Sequence, residues 1–504
     1  MNQVPMTASE MRVLELNAVY LGVSLGTLME NAGREVARSI CSIEKVKDAQ
    51  ISILCGVGGN GGDGMVAARY LQEAGASVQV MLIGDPLRIS SEDTQRNWNT
   101  LERMDTMPIA VLNTETAIRK EKSVLETDIL IDALLGFGLT SRVREPIESA
   151  IRLVNKSTAA KYSIDVPSGM NSDTGKAMGV AVKADYTITL HAPKPGFLTN
   201  PELTGKLLVV PIGIPEEAKS ICGLGDLWLF NRPRPLESKK GDYGRILIVG
   251  GSDVYSGAPA LAGLAALRSG ADLVTIMAPD PVVPAIRSYG PNLMVQNLGT
   301  SVLDISSLDV VLDAAMKNDV IALGPGMGVA KESISAFKEI LEGLASLGKP
   351  LVVDADGLKA LAQTTQRFES DKTVLTPHWG ELQILLGKKI ESTYDSSLRI
   401  EHAVEASKKY EAVILLKGAV DVIANPEGKY KLNKTGCPAM TVGGTGDVLT
   451  GITSAFLARN LGAFNAACAA AHVSGLAGEM ASCDFGGRIL ATDCIERIPL
   501  VMKP

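Results

Sequence analysis

The sequence predicts an α/β protein of two domains, each a mostly parallel sheet between layers of helices. Three observations predict it. Short β-rich runs alternate with helical stretches along the chain, the pattern of parallel sheets joined by crossover helices. Several of these runs end on a glycine-rich or acidic turn, as strands do where ligands bind beyond their carboxyl ends. A Pro- and Gly-rich break near residue 220 separates two halves whose motifs do not repeat each other. The 504 residues suffice for two large α/β domains. With 46% hydrophobic and 21% charged residues, usage is ordinary for a globular chain. The 50 glycines follow no G-X-Y period, which points to tight turns beside ligands and not to a fibre.

In the first half, Thr7 and Glu10 form a capping box ahead of a periodic helix over 11–20. Strands are expected over 51–55, 78–83, 129–131, 162–166 and 186–190. The segment CGVGGNGGDG (55–64) leads from the first strand to a helix over 65–72. Gly56, Gly58 and Gly61 satisfy G-x-G-x-x-G, which lets the backbone approach a phosphate at a helix N-terminus. Asp85, 24 residues after Gly61, is a candidate ribose-binding acid, although it sits in a Gly-Asp-Pro turn. IDALLGFGLTSRVREP (131–146), IDVPSGM (164–170) and HAPKPGF (191–197) end further strands. Asp132 and Asp165, with Asn60 and Ser168, make an all-oxygen cluster suited to K⁺, Mg²⁺ or a sugar phosphate. The plainer alternative is that the two aspartates cap the turns that follow them.

After the break, strands are expected over 245–249, 273–277, 320–323, 351–353, 374–375 and 413–416. Residues 240–271 give a strand, a Gly-Gly-Ser turn and an Ala-rich helix. GPGMG (324–328), DADGL (354–358) and TPHWGE (376–381) each follow a strand. The sharpest motif is VGGTGDVLTGI (442–452), whose glycines open a helix beginning near Asp447. Amides at such a start can hold a transferring phosphoryl group, and an acid there can take a proton from a hydroxyl. The alternative is a glycine-rich helix start whose aspartate merely complements the helix dipole. No G-x-x-x-x-G-K-[ST] motif is present, so this is not a P-loop enzyme. The stretch 463–481 is apolar but holds Asn465, His472 and Glu479, and reads as a buried helix.

Composition narrows the function classes. A net charge of −7 without a Lys/Arg cluster argues against nucleic acid as a partner. No apolar run reaches 18 residues, so no membrane span is expected. The first residues show no secretory signal, and the seven cysteines form no CxxC pair. Reduced thiols, a cytoplasmic location, small-molecule partners and a homo-oligomer are the expectation.

LMENAGREVA (28–37), GVGGNGGDG, DALLGFGL, DVPSG and PKPG, in this order, resemble the NAD(P)H-hydrate epimerase domain over roughly residues 5–217. The resemblance implies a Rossmann-like three-layer sandwich over 1–220. It implies a K⁺ held by Asn60, Asp132 and Ser168. Substrate contacts would come from Gly59, Asn60, Gly61, Gly62 and Asp63, from Gly136, Phe137, Gly138, Leu139, Thr140, Ser141 and Arg142, and from Asp165, which would also be the catalytic acid/base. Gly59 stands where many members have a second Asn, and Glu15 where Asp is more usual.

The second half resembles the ribokinase-like fold, whose G-x-G-D motif carries the catalytic Asp. Within that fold it is similar to the ADP/ATP-dependent NAD(P)H-hydrate dehydratases over roughly 226–500. This implies a three-layer sandwich over 226–504. Ala258, Gly326, Gly328, His378 and the catalytic Asp447 would face the hydrated nicotinamide nucleotide. Lys417, Gly418, Ala419, Val420, Asp421, Asn433, Gly443, Gly444, Thr445 and Gly446 would hold ADP or ATP, with Mg²⁺. Lys239, Trp379 and Asp421 depart from the usual His, Pro and Thr. Together the two resemblances imply a bifunctional repair enzyme. It would epimerise the R and S forms of NADHX and NADPHX, and dehydrate the S form at the expense of ADP or ATP. The rival is a ribokinase-like small-molecule kinase with a nucleotide-binding scaffold domain.

Overall fold

Two parallel sheets organise the chain, one in each of two units, Met1–Ala218 and Lys219–Pro504. The computed structural model describes residues 4–231, 233–391 and 395–503; the outer limits expected for the two domains, 1 and 504, fall outside these. The first sheet contains β1 (Gln50–Cys55), β2 (Ser77–Ile83), β3 (Ile109–Leu112), β4 (Ile129–Ala133), β5 (Ala160–Ile164), β6 (Tyr186–Leu190) and β7 (Lys206–Val210). Its order is β3-β2-β1-β4-β5-β6-β7, with every neighbouring pair parallel. The order reverses between β1 and β4, as in a Rossmann-like sheet, and ligand crevices form outside the carboxyl ends at such a reversal.

The second sheet contains β8 (Arg245–Val249), β9 (Leu273–Ala278), β10 (Met294–Asn297), β11 (Val320–Leu323), β12 (Leu351–Val353), β13 (Thr373–Leu375), β14 (Val413–Leu416), β15 (Asp421–Ala424) and β16 (Tyr430–Asn433). Its order is β10-β9-β8-β11-β12-β13-β14-β15-β16. It is parallel as far as β14, and β15 and β16 add an antiparallel edge. The reversal here lies between β8 and β11.

Each sheet is a middle layer. Ile51 and Ile53 of β1 pack into one apolar cluster and Leu54 into another. Ile246 and Ile248 of β8 face one cluster, Leu247 and Val249 the other. Alternate side chains therefore feed opposite faces, and a strand buried on both reads as a continuous apolar run. The helix Ala463–Phe485 packs its small residues into the second unit's core. Among the described residues no helix is long and apolar enough to cross a membrane, and all seven cysteines are free.

The structure departs from the sequence-based expectation in places. The first helix, Ala8–Tyr20, starts three residues earlier than expected and carries the Thr7–Glu10 capping box. Five strands, β3, β7, β10, β15 and β16, were not expected. They are short, and β3, β7 and β10 are partly exposed, so they lack the apolar signature. Lys431 in β16 even carries a charge inward, to Asp226 at 2.7 Å. That pair attaches the helix Leu224–Phe230 to the second sheet, and the second unit begins at Lys219, ahead of the expected 226.

Candidate active sites

The first site is a cleft of about 930 Å³ over the carboxyl ends of β1 and β4. Gly58, Gly59, Asn60 and Asp63 line it from one strand end, Leu134 to Leu139 from the next, and Asp165 from the end of β5. The sequence suggested a loop over 59–64, but the helix Gly59–Glu73 already begins at Gly59. Glycine is tolerated in this helix because the backbone is pressed against its surroundings. A Cβ on Gly61 would lie 1.9 Å from the Gly56 carbonyl oxygen, and one on Gly62 2.6 Å from Met29 Sδ. These two glycines therefore support the cleft without lining it. At Gly59 a side chain would meet nothing within 4 Å, so the space for the usual Asn is open.

Asn60 is buried, and neither its Oδ1 nor its Nδ2 has a hydrogen-bond partner. Leaving both unmet is costly unless a ligand supplies the contact. Below the cleft, the fully buried Asp132 accepts hydrogen bonds from Ser163 Oγ at 2.7 Å and Ser168 N at 2.8 Å, with no ion pair to a cation among the described residues. Burial pushes its carboxyl above the usual range. Ser168 Oγ accepts from Leu135 N at 2.8 Å and so ties the two strand ends together.

Asp165 has a backbone φ of 63°, and His191, at the neighbouring strand end, one of 62°. Non-glycine residues in this region are strained, and such strain concentrates at functional sites. The Asp165 carboxylate meets Lys194 Nζ at 2.8 Å, with both side chains buried. Lys194 also donates to Thr189 Oγ1 and to the Leu190 and Ala192 carbonyls. Lys194 lies in the PKPG motif, whose sequence alone gives the lysine no role. A lysine in a Pro-Gly turn at a strand end was the available signal. Arg12 and Glu15 also line the cleft and pair at 3.1 Å. Burial, then the charges of Asp165 and Glu15, push Asp63 well above the usual carboxylate range. Thr140, Ser141 and Arg142, expected at the substrate, are exposed and do not line the cleft; the Arg142 stem lies against Gly179. Asp85 does line it, and accepts from Leu87 N at 3.0 Å.

The second site lies along the carboxyl ends of β8, β11, β12, β13 and β14, which are neighbours in register. Gly250, Gly324, Asp354, Thr376 and Lys417 each follow one of these strands. The Gly-Gly-Ser turn bonds to the GPGMG loop through Gly251 N and the Pro325 carbonyl at 2.9 Å. A Cβ on Gly326 would be 3.1 Å from the Ala258 Cβ, and Gly328 N donates to Asp356 Oδ2 at 2.9 Å. Ala258 and Gly326 are thus brought together, while Gly328, two residues on, is held by Asp356. His378 caps the helix Trp379–Leu386: its Nδ1 accepts from Glu381 N at 3.2 Å, while 60% of the side chain stays exposed.

The helix Thr445–Leu457 begins two residues before Asp447, after Gly444 with φ 95°. That conformation favours glycine. A side chain on Gly443 would meet nothing within 4 Å, so open space adjoins Gly443 just ahead of the amides of this helix start. A Cβ on Gly446 would lie 3.4 Å from Lys417 Nζ, which places the ammonium beside them. Thr445 Oγ1 is spent inside the loop, donating to the Met440 and Val442 carbonyls. Burial, then the negative charge of Asp354, raise Asp447 to about 7, with Lys417 opposing. Asp421 accepts from Gly418 N at 2.9 Å and from Asn433 Nδ2 at 3.0 Å. Burial raises it to about 6. The departure from Thr is absorbed by this pairing across β15 and β16, and Asn433 is buried within it. Trp379 packs edge-on to His402, with the Arg399 guanidinium 5.4 Å from its ring. The Lys239 amide donates to Asp242 Oδ2 at 2.7 Å.

Two family models match the chain, one in each half. A family model described as NAD(P)H-hydrate dehydratase matches residues 246–500, and one described as YjeF-related protein N-terminus matches 25–196. The bifunctional NAD(P)H-hydrate repair enzyme Nnr of Hyperthermus butylicus is 43% identical over 498 residues, 98% of this chain and 91% of that protein. The chain belongs to this family of repair enzymes. The Nnr of Methanothermobacter thermautotrophicus is 41% identical, with 98% and 95% of the two chains covered. Among solved structures, the ADP/ATP-dependent NAD(P)H-hydrate dehydratase of Bacillus subtilis, co-crystallised with ATP and Mg²⁺, aligns with 55% of this repair-enzyme chain and 95% of its own. Its identity is 28% and its TM-score 0.47.

Proposed function

We propose that the chain repairs hydrated nicotinamide nucleotides, with epimerisation in the first unit and nucleotide-driven dehydration in the second. One observation supports the dehydration most strongly. Asp447, a carboxyl raised to about 7, sits on a helix whose glycine-rich start adjoins both open space at Gly443 and the Lys417 ammonium. Hydration across the C5–C6 bond leaves a hydroxyl on C6. Hydroxide leaves poorly, whereas a phosphate leaves readily. Asp447 takes the C6 hydroxyl proton as the oxygen attacks the terminal phosphoryl group of ADP or ATP, and the bond to the departing nucleotide breaks. The ring-nitrogen lone pair then expels phosphate from C6, and loss of a C5 proton restores the double bond. Lys417 and the amides from Gly443 to Asp447 steady the phosphoryl oxygens. Gly326, Gly328, Ala258 and the exposed edge of His378 flank the nicotinamide side. Mg²⁺ would neutralise charge on the phosphates. Among the described residues no group of three or more His, Cys, Asp or Glu could hold a metal, which suits an ion carried mainly by phosphates and water.

In the first unit, Asn60, Asp132 and Ser168 would hold K⁺. The unpartnered Asn60 Oδ1 and the Asp132 carboxyl, buried and hydrogen-bonded but without an ion pair among the described residues, fit a large monovalent cation. K⁺ would fix the start of the helix Gly59–Glu73 against the end of β4. Asp165, held by Lys194, would move the proton at the C6 hydroxyl. The test is to supply each epimer alone with ADP or ATP and Mg²⁺. The S form should yield reduced nicotinamide directly. The R form should do so only while the first site is intact, and loss of that dependence in Asp165→Ala would refute the division of labour.

A further inference from the structure

The DADGL motif is used by neither reaction as described above, yet its first aspartate lies at the centre of the second site. Asp354 follows β12, with its side chain 2% exposed. Its Oδ1 accepts from Lys417 Nζ at 2.9 Å and its Oδ2 from Thr450 Oγ1 at 2.7 Å. Lys417 follows β14, two strands away. Thr450 lies one turn beyond Asp447 on the helix Thr445–Leu457. One buried carboxylate thus joins the cation beside Gly446 to the helix that carries the proposed base. The next residue, Ala355, is forced to φ 51°. Asp356 then points the other way, accepting from Gly328 N at 2.9 Å and Lys359 Nζ at 2.8 Å. The strained turn sends one aspartate to the phosphoryl side and the other to the GPGMG loop, and strain of this kind persists where the surroundings over-determine it.

We propose that Asp354 is a positioning residue for the dehydration, holding the Lys417 ammonium and the Asp447 helix in one fixed arrangement. The proposal rests on the dehydratase reading of this site. Its charge also bears on the base. Burial works against the charged form of Asp354, but the Lys417 charge and hydrogen bonds from Thr450, Lys417 and Thr376 outweigh it and hold the carboxyl below its usual range. Asp354 therefore stays anionic, and its charge adds to burial in raising Asp447 to about 7. The other charged groups around Asp447 are Lys417, which opposes the rise, and Asp356, which adds to it. Glu381, on the helix Trp379–Leu386, also acts on Lys417, with His378 at that helix start. Asp354 is the negative charge that counts most for Asp447, and it also partly neutralises Lys417.

Asp354→Asn keeps the size and an acceptor for Thr450 but removes the charge. Asp447 then loses a like-charged neighbour and faces an uncompensated Lys417, and both changes favour its ionised form. The acid limb of the kcat–pH profile, near pH 7 in the parent, should move down by about 1 pH unit or more. Over the plateau kcat should fall by about tenfold or more, with KM changing less, because Lys417 is no longer held for phosphoryl transfer. Thr450→Val removes only the hydrogen bond. It should lower kcat while leaving the acid limb in place, and Thr450→Ser should restore the rate. The assay uses the full chain with the S epimer, ADP or ATP and Mg²⁺, reading reduced nicotinamide, with ADP or ATP binding by calorimetry as the control that the second unit is folded. An acid limb unmoved in Asp354→Asn, or Thr450→Val at parental kcat, would overturn the proposal. If Asp354→Asn does not fold, Thr450→Val against Thr450→Ser decides it alone. Failure of the parent to form reduced nicotinamide would count against the dehydratase reading itself, and so is distinguishable.

Discussion

Gly61→Ala tests whether the first site depends on a helix start pressed against its own strand end. The added Cβ would lie 1.9 Å from the Gly56 carbonyl oxygen and 2.8 Å from its carbon, both backbone atoms, whereas ordinary contact begins at 3.4 Å. The two backbones must part by about 1.5 Å, and a misplacement near 1 Å costs on the order of 10²-fold in rate. Overpacking should also cost about 1–3 kcal/mol of stability in the first unit. Gly59→Ala, two residues away on the same helix but lining the cleft, meets nothing within 4 Å, so it should leave the stability of the first unit unchanged and impair epimerisation far less than Gly61→Ala. The assay converts the R epimer to the S form in the full chain, with direct dehydration of the S form by the second unit as the control. Gly61→Ala at the parental rate, or Gly59→Ala equally impaired, would refute the reasoning.

Asp447→Asn should retain ADP or ATP binding, measured by calorimetry, but lose at least ~10²-fold in dehydration, the lower range for a lost general base. In the parent, the rate should fall below pH 7 by about tenfold per pH unit, because Asp447, raised to about 7, becomes protonated and cannot accept the hydroxyl proton. Replacing K⁺ by Li⁺ or a bulky organic cation should slow epimerisation. Asp132→Ala should chiefly raise KM and Asp165→Ala chiefly lower kcat, and identical defects in both would contradict the roles given to them. Asp226→Ala should destabilise the second unit by about 3–5 kcal/mol in denaturant unfolding, since it leaves the Lys431 ammonium buried and unpaired.

The fold class was legible because buried parallel strands such as Ile51 to Leu54 and Ile246 to Val249 carry their apolar signature in the sequence. Edge strands do not, and β16 was hidden further by a lysine whose burial depends on Asp226, 205 residues away. Most proposed site residues were legible as motifs because short turns at strand ends keep chemistry in a few consecutive residues. Three kinds of information were not local. The pairing of Lys194 with Asp165 requires β5 and β6 to be neighbours. The meeting of Asp354, Lys417 and Thr450 requires three separate segments to converge. The exposure of Thr140 to Arg142, expected at the substrate, follows from the path of the loop after β4, which its composition does not encode. The helix start at Gly59 was obscured by low helix propensity in a glycine-rich run, which close packing against Gly56 and Met29 overrides.

The central claim is tested most directly by giving the full chain a mixture of both epimers with Mg²⁺ and ADP or ATP, while following reduced-nicotinamide absorbance and free phosphate together. The account predicts that both epimers are consumed and that phosphate appears in equal amount with NADH or NADPH. A stable phosphorylated product without reduced nicotinamide would contradict it and would point to a small-molecule kinase.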